Sequence, residues 1–361
     1  MREGWEKKKL EDISEKIMAG GDKPRVFSET ISDECKVPVY ANGVQNKGLC
    51  GYTNKATIHD ESITISARGT IGFCCVRNEP FVPIVRLITI IPKKNVNIHY
   101  LNYVMNNLSI ENNGVAIPQL TVPMLKGITI PIPPLPEQER IVAELDCLSS
   151  VIEKQKELLK ELDNLAWAIF YDMFGDPVAN EKGWDTYRLE EISTLLNGRA
   201  YKQNELLNDG KYKVLRVGNF FTNDLYYYSN LELEQDKYCE KGDLLFAWSA
   251  SFGAFIWGGE KVIYHYHIWK VLFDEAKLNT MYYRYLLNTM TTYFMKDVHG
   301  IGMVHLTKGG MEQYILPTPP LTLQQQFAEK IEAIEKQKEL IKQTLKGLEE
   351  LFNSRMDYYF N

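Results

Sequence analysis

The chain of 361 residues predicts an α+β protein duplicated in tandem, with two similar globular domains each followed by a long helix. Three observations predict it. Distinctive strings recur in the same order roughly 180 residues apart. Strand-like apolar runs fill the stretch before each Pro-Pro-Leu break. A long charged segment with heptad-spaced apolar residues follows each break.

The repeat is traced by four pairs of strings. "GWEKKKLEDIS" (4–14) returns as "GWDTYRLEEIS" (183–193), and "DESITISARGTIG" (60–72) aligns with "KGDLLFAWSASFG" (241–253). "NGVAIPQLTVPMLKGITIP" (113–131) aligns with "HGIGMVHLTKGGMEQYILP" (299–317), and the hexapeptide "EKQKEL" stands at both 153–158 and 335–340. Four segments follow from this: a globular domain at 1–132, a helix at 133–175, a second domain at 176–318 and a second helix at 319–361.

Each globular segment reads as strands with one short helix set against a curved sheet. "ESITIS", "FVPIVRLITIIP", "GDLLFAW" and "KVIYHYHIWKVLF" are β-branched or aromatic and bounded by Gly, Pro or Asn. "IHYLNYVMNNL" (98–108) and "NTMYYRYLLNTM" (279–290) space their apolar residues as helices do. His265 and His267 lie two apart, so a strand would point both to one face, as a metal pair or a sheet-packing pair requires. "SARGTIG" (66–72) and "SASFG" (249–253) read as tight turns, with a phosphate-cradling loop as the rival reading.

In the first long helix Ile141, Leu145, Leu148, Ile152, Leu159 and Leu162 fall at heptad a and d spacing, continuing through Ala166 and Ile169. In the second, Phe327, Ile331, Ile334, Ile341, Leu345 and Leu348 do the same. Such a narrow stripe predicts a coiled-coil seam, and two seams in one chain can bury each other. Gln155 and Lys338 each interrupt a seam, either as tolerated surface or as residues that fix its register.

Charge and cysteine usage narrow the class. The net charge is −6, yet residues 1–130 carry +3, 131–182 carry −6, 183–316 carry −2 and 317–361 carry −1. The acidity therefore sits mainly on the first helix, and the total argues only weakly against a nucleic-acid partner. The six cysteines form no C-x-x-C pair, no charged-then-apolar signal opens the chain, and no apolar run nears the ~18 residues of a membrane helix. A cytoplasmic chain with reduced thiols is expected.

With "PPLPEQERIVAELD" and "PPLTLQQQFAEKIEAI" opening the helices, "GWDTYRLEEIS" opening the second domain and "MFGDP" (173–177) closing the first helix, the chain closely resembles the specificity subunit of type I restriction-modification enzymes. The resemblance spans the whole chain. It implies a non-catalytic DNA reader in which each globular domain is a target recognition domain for one half of a split, asymmetric site. It also implies that the two helices pair as an antiparallel coiled coil, giving the tandem repeat a pseudo-twofold axis that suits duplex DNA. About 30 helical residues span ~45 Å, or roughly 13 base pairs.

The partners implied are double-stranded DNA, two methylation subunits and restriction subunits, with no membrane. The chain itself needs no cofactor or metal, since S-adenosylmethionine, ATP and Mg are expected only in the partner subunits. The residues agree: no Asp-Pro-Pro-Tyr or Asn-Pro-Pro-Tyr tetrapeptide and no P-loop is present. Candidates for touching DNA are Asn42, Gln45, Lys47, Arg68 and Gln119 in the first domain, and Arg199, Lys202, Arg216, Asn219 and His305 in the second. Gln119 and His305 occupy equivalent places, each before Leu-Thr. The rival reading is a coiled-coil adaptor that organises other proteins without DNA.

Overall fold

The computed structural model describes residues 4–108, 119–221, 223–249, 251–295 and 306–360. The chain forms two compact units, residues 1–156 with 343–361 and residues 157–342. Both boundaries fall inside a long helix. Each half-helix thus belongs to the core it packs on, which the division at 132/133, 175/176 and 318/319 does not capture.

Unit 1 begins with β1 (Glu6–Lys9), α1 (Leu10–Ile13), β2 (Ser14–Ala19), β3 (Val37–Tyr40), β4 (Leu49–Thr53) and β5 (Ser62–Ser66). It continues through β6 (Cys74–Arg77), β7 (Val82–Pro83), β8 (Leu87–Pro92), α2 (Ile98–Asn107), α3 (Val122–Gly127) and β9 (Thr129–Ile132) into α4 (Leu135–Phe174). One sheet has the order β2-β8-β5-β6 and a second the order β4-β3-β7, while β1 pairs with β9. Ile63, Ile65, Ile88 and Ile90 from the first sheet share a core with Tyr100, Leu101, Val104 and Met105 of α2. Asn97 starts α2 by accepting from the amides of His99 and Tyr100, which satisfies two of the orphan donors of its first turn.

Unit 2 repeats the plan after the rest of α4, with β10 (Thr186–Arg188), α5 (Leu189–Ile192), β11 (Ser193–Asn197), β12 (Tyr212–Leu215), β13 (Tyr227–Ser229) and β14 (Tyr238–Cys239). Then come β15 (Leu244–Ser249), β16 (Ser251–Ile256), β17 (Val262–Tyr264), β18 (Ile268–Phe273), α6 (Thr280–Phe294), α7 (Lys308–Glu312), β19 (Ile315–Pro317) and α8 (Leu321–Phe360). The sheets run β11-β18-β15-β16 and β13-β12-β17-β14, and β10 pairs with β19. The first strand of each unit therefore lies beside its last, so chain entry and exit are adjacent in both.

Two runs that read as single strands are each two strands. "FVPIVRLITIIP" breaks at residues 84–86, where Arg86 adopts φ 70°, and "KVIYHYHIWKVLF" breaks at 265–267. In each, the first piece pairs in parallel with β3 or β12 and the second joins the other sheet. Burial in both sheets keeps the run apolar, so periodicity carries no mark of the break. His265 and His267 consequently stand in a turn, and the strand-face argument for a metal pair does not apply. Among the described residues, no group of three His, Cys, Asp or Glu could hold a metal ion.

Within each unit α4 and α8 run side by side in opposite directions. In unit 1, Arg355 donates to both oxygens of Glu144, and the Tyr359 hydroxyl donates to Glu144 Oε2 at 2.6 Å. In unit 2, Phe327 packs against Phe170 and Phe174 at ring separations of 5.7 and 5.4 Å. Ile141, Leu145, Ile152, Leu162, Phe327, Ile331 and Ile334 are buried, whereas Leu148, Leu159, Ile341, Leu345 and Leu348 are half-buried. Toward each core the buried face widens to include Val142, Phe170, Phe174, Met356 and Tyr359. A helix against a globular core needs a broad apolar face, and a helix against one partner needs only a seam. No helix among the described residues is long and apolar enough to cross a membrane.

A fully buried glutamine joins each long helix to its unit. Gln138 Oε1 accepts from the Asn97 amide at 2.8 Å, and its Nε2 donates to the Pro133 carbonyl at 2.9 Å. Gln324 does the same with the Asn279 amide at 2.8 Å and with the Pro319 and Lys277 carbonyls at 2.7 and 2.8 Å. Tyr100 and Tyr282 add matching bonds to the Pro131 and Pro317 carbonyls at 2.9 and 2.8 Å. The glutamine in each break sequence is thus a structural clamp.

Candidate nucleic-acid interface

Strand registers match the two units residue by residue. β3 and β7 pair Val39 with Val82, as β12 and β17 pair Val214 with Ile263, and β5 and β8 pair Ile65 with Ile88, as β15 and β18 pair Phe246 with Trp269. Ala41 then corresponds to Arg216, Arg68 to Ser249, Ile84 to His265 and Arg86 to His267. Three turns meet at this corner in each unit: the connection after β3 or β12, the turn after β5 or β15, and the turn before β8 or β18.

In unit 1 the corner gathers the sequence candidates. The Asn42 amide donates to the Arg68 carbonyl at 2.5 Å and accepts from the Arg68 amide at 3.1 Å, while Arg68 bridges to Gln119. Asn42 therefore has both ends of its amide engaged by backbone, and its side chain organises the corner. Gln45 and Lys47 are exposed, as is Asn46 between them, and Asn46 and Lys47 both adopt left-handed backbone, at φ 48° and 52°. Arg77 anchors them from below: its Nη2 donates to the Lys47 carbonyl at 2.5 Å and its Nε to Thr64 Oγ1 at 3.0 Å. The Arg77 guanidinium also lies 3.6 Å from the centre of the Tyr40 ring. Burial, and then the bond to Glu79, raise the Tyr40 hydroxyl above its ordinary range.

Unit 2 has a cleft of about 320 Å³ at the same corner, lined among others by Arg216, Asn219, Leu225, Ser249, His265 and His267. Asn219 accepts from the Arg216 amide at 2.9 Å and donates to the Asn223 and Leu225 carbonyls at 2.7 and 3.0 Å, so its amide too is engaged in holding its loop. Arg216 is exposed, with its guanidinium 5.3 Å from the Tyr227 ring centre. Ser249 Oγ is buried without a hydrogen-bond partner among the described residues. Burial, then His267 and Arg216, hold His265 down to about 4, so its ring is neutral at pH 7.

Arg199 makes a two-bond ion pair with Glu205 at 2.9 and 2.8 Å, which together with the Lys202 amide lowers the Glu205 carboxyl to about 2. Its guanidinium is thus committed to the fold, while the Lys202 side chain is exposed. His305 lies outside the described residues. Sequence reasoning passed over Asn46, Arg77 and Arg86 and met Ser249 only as the first residue of "SASFG"; the one available signal for the others was the Asn-Lys-Gly turn at 46–48.

Comparison with known proteins bears on both units. The family model described as "Type I restriction modification DNA specificity domain" matches residues 2–164 and again 181–350. A chain named as a type I specificity subunit in Mycoplasma pneumoniae is 37% identical over 140 residues, which are 39% of this chain and 39% of that one. The chain thus aligns with about two fifths of the length of such curated relatives. The S subunit of a type I restriction-modification system from M. genitalium has a similar fold, at TM-score 0.60 and 15% identity over 99% of this chain and 96% of that one. A chain from work on complex assembly and conformational transition of the type I R-M system matches equally, with TM-score 0.60 and 15% identity over 99% and 97%. With both halves matched, the chain belongs to the type I restriction modification DNA specificity family.

Proposed function

We propose that the chain reads double-stranded DNA at a bipartite, asymmetric site, one half by each globular unit, and that the paired helices set the gap between the halves. In this reading it is the non-catalytic specificity subunit of a cytoplasmic complex. It docks two methylation subunits, which use S-adenosylmethionine, and restriction subunits, which use ATP and Mg. The observation that carries it is the pairing of one strand order with two unlike corners. A duplicated scaffold matches the equivalent grooves of a duplex, and different corner residues select different bases. Relatives named as type I specificity subunits support the same reading.

The test is to express the chain with its methylation subunits, map methylated adenines, and repeat with residues 183–316 replaced by a relative's domain. One half-site should change while the other half-site and the gap persist. Absence of a co-purifying methyltransferase, with no bipartite motif, would favour the adaptor. Residues 1–130 carry +3 against −2 for 183–316, so the isolated first domain should also show the steeper fall of affinity with salt.

A further inference from the structure

We infer that the exposed Gln45-Asn46-Lys47 tip between β3 and β4 reads bases in the half-site of unit 1, and that buried Arg77 is its positioning residue. This rests on the DNA reading above. Base edges lie on the floor of a groove, so a reading group must project from the protein and carry free donors and acceptors. Asn42 is turned inward onto Arg68. The tip projects three polar side chains in sequence, all exposed.

Its backbone is also costly to hold. Two consecutive non-glycine residues in the left-handed region, Asn46 and Lys47, persist only where surrounding structure enforces them. Arg77 supplies the enforcement through the Lys47 carbonyl. A buried guanidinium is itself expensive, and among the described residues this one has no carboxylate within ion-pair reach. An apolar residue would serve the core of the strand better, so the arginine is explained by the carbonyl it holds.

Unit 2 supplies the contrast. Ser62 pairs with Arg77, and the matching register places Trp257 at the position of Arg77. No described non-glycine residue of the connection between β12 and β13 adopts a left-handed backbone. Arginine and strained tip are present together or absent together. Chemically, Gln45 and Asn46 suit the N6 and N7 edge of adenine, and Lys47 suits the O6 and N7 acceptors of guanine.

The experiment maps methylated adenines for the full chain with its methylation subunits, comparing wild type with Gln45→Ala, Arg77→Met and the double variant. Gln45→Ala should relax a position of one half-site, losing roughly 5- to 150-fold of preference there. Arg77→Met should relax the same position and leave the other half-site and the gap untouched, and the double variant should relax it no further. Unaltered motifs for Gln45→Ala overturn the tip; relaxation elsewhere, or uniform loss at both half-sites, overturns the role of Arg77. Should Arg77→Met unfold the unit, Asn46→Gly, which suits the left-handed backbone, should relax the same half-site without lowering the melting temperature, and an unchanged motif there overturns the proposal. Failure of the underlying DNA reading is seen separately, as a wild-type complex that yields no bipartite motif.

Discussion

Unit 1 presents an exposed, anchored tip where unit 2 presents a cleft, yet both corners are built on corresponding strands in the same order, with β14 added at the edge of the second sheet of unit 2. Even the close approaches are shared: a Cβ on Gly20 would lie 2.4 Å from the Ile84 carbonyl oxygen, and one on Gly198 would lie 2.4 Å from that of His265, the residue that corresponds to Ile84. The framework is held by backbone pairing and by side chains that face inward. The corners are set by turn residues, which can change without disturbing the sheets. Duplication followed by change at the turns, and at supporting strand positions such as Arg77 and its counterpart Trp257, gives two corners of different chemistry on one scaffold.

The strongest way to break this comparison is to attack what the units share. Gln138→Leu and Gln324→Leu keep most of the side-chain volume but strand a buried amide and carbonyl in each unit. Each should cost about 2–4 kcal/mol. Denaturant unfolding of the two variants should give similar losses; a large loss in one alone would show that the frameworks are not equivalent.

The duplication was legible from the chain because strings recur in order, and the long helices were legible because a heptad stripe has no other common use. The sheet-to-sheet steps at 84–86 and 265–267 were not, since both sides of each step are apolar for different sheets. Site residues were the least legible. Asn42, Asn219 and Arg199 have the side chains that read bases, but each is engaged by a backbone or carboxylate partner distant or unmarked in sequence. Arg77 sits in a buried strand, "CCVR", where nothing local marks it as the support of a loop 30 residues away.

A smaller effect is expected in the helices. Leu148→Asp and Leu345→Asp place a charge at half-buried seam positions and should each cost about 1–3 kcal/mol. Lys154→Ala and Lys336→Ala remove exposed charges and should stay within ~0.5 kcal/mol. Equal melting shifts for the two classes would remove the seam from the account of how the helices pair.

Acid should distinguish the units. His265 is held neutral in unit 2 by burial, His267 and Arg216, with the Tyr201 ring beside it, and its place in unit 1 is taken by Ile84. Because its folded pKa of about 4 lies below the ordinary histidine value of 6.5, the unfolded chain binds the extra proton between those values. Stability of unit 2 should therefore fall as pH drops through that window, modestly, since the ring is only partly buried. Hydrogen exchange across the window should show the loss in unit 2 alone, and His265→Ile should abolish it. A loss that survives His265→Ile would place its origin elsewhere.

The smallest effect belongs to the hexapeptide that the chain carries twice. Its second lysine reaches the opposite helix in both copies: Lys156 meets Glu349 at 3.3 Å, and Lys338 meets Asp163 at 2.6 Å. The same six residues thus make the same type of contact once in each unit, so "EKQKEL" is more than solvated surface. The environments differ, however. The Lys156 side chain is 46% exposed, whereas Lys338 is 13% exposed and also holds Glu335 at 2.8 Å. Exposed ion pairs contribute ~0–1 kcal/mol, and partial burial with a second partner raises that only while both partners remain. Lys338→Ala should therefore cost about 1 kcal/mol and Lys156→Ala less than ~0.5 kcal/mol. If the pair at Lys338 fixes register, Lys338→Ala should also blur the gap between the two half-sites in the methylation map, and Lys156→Ala should not. A sharp, unchanged gap in Lys338→Ala would leave the lysine with stability alone.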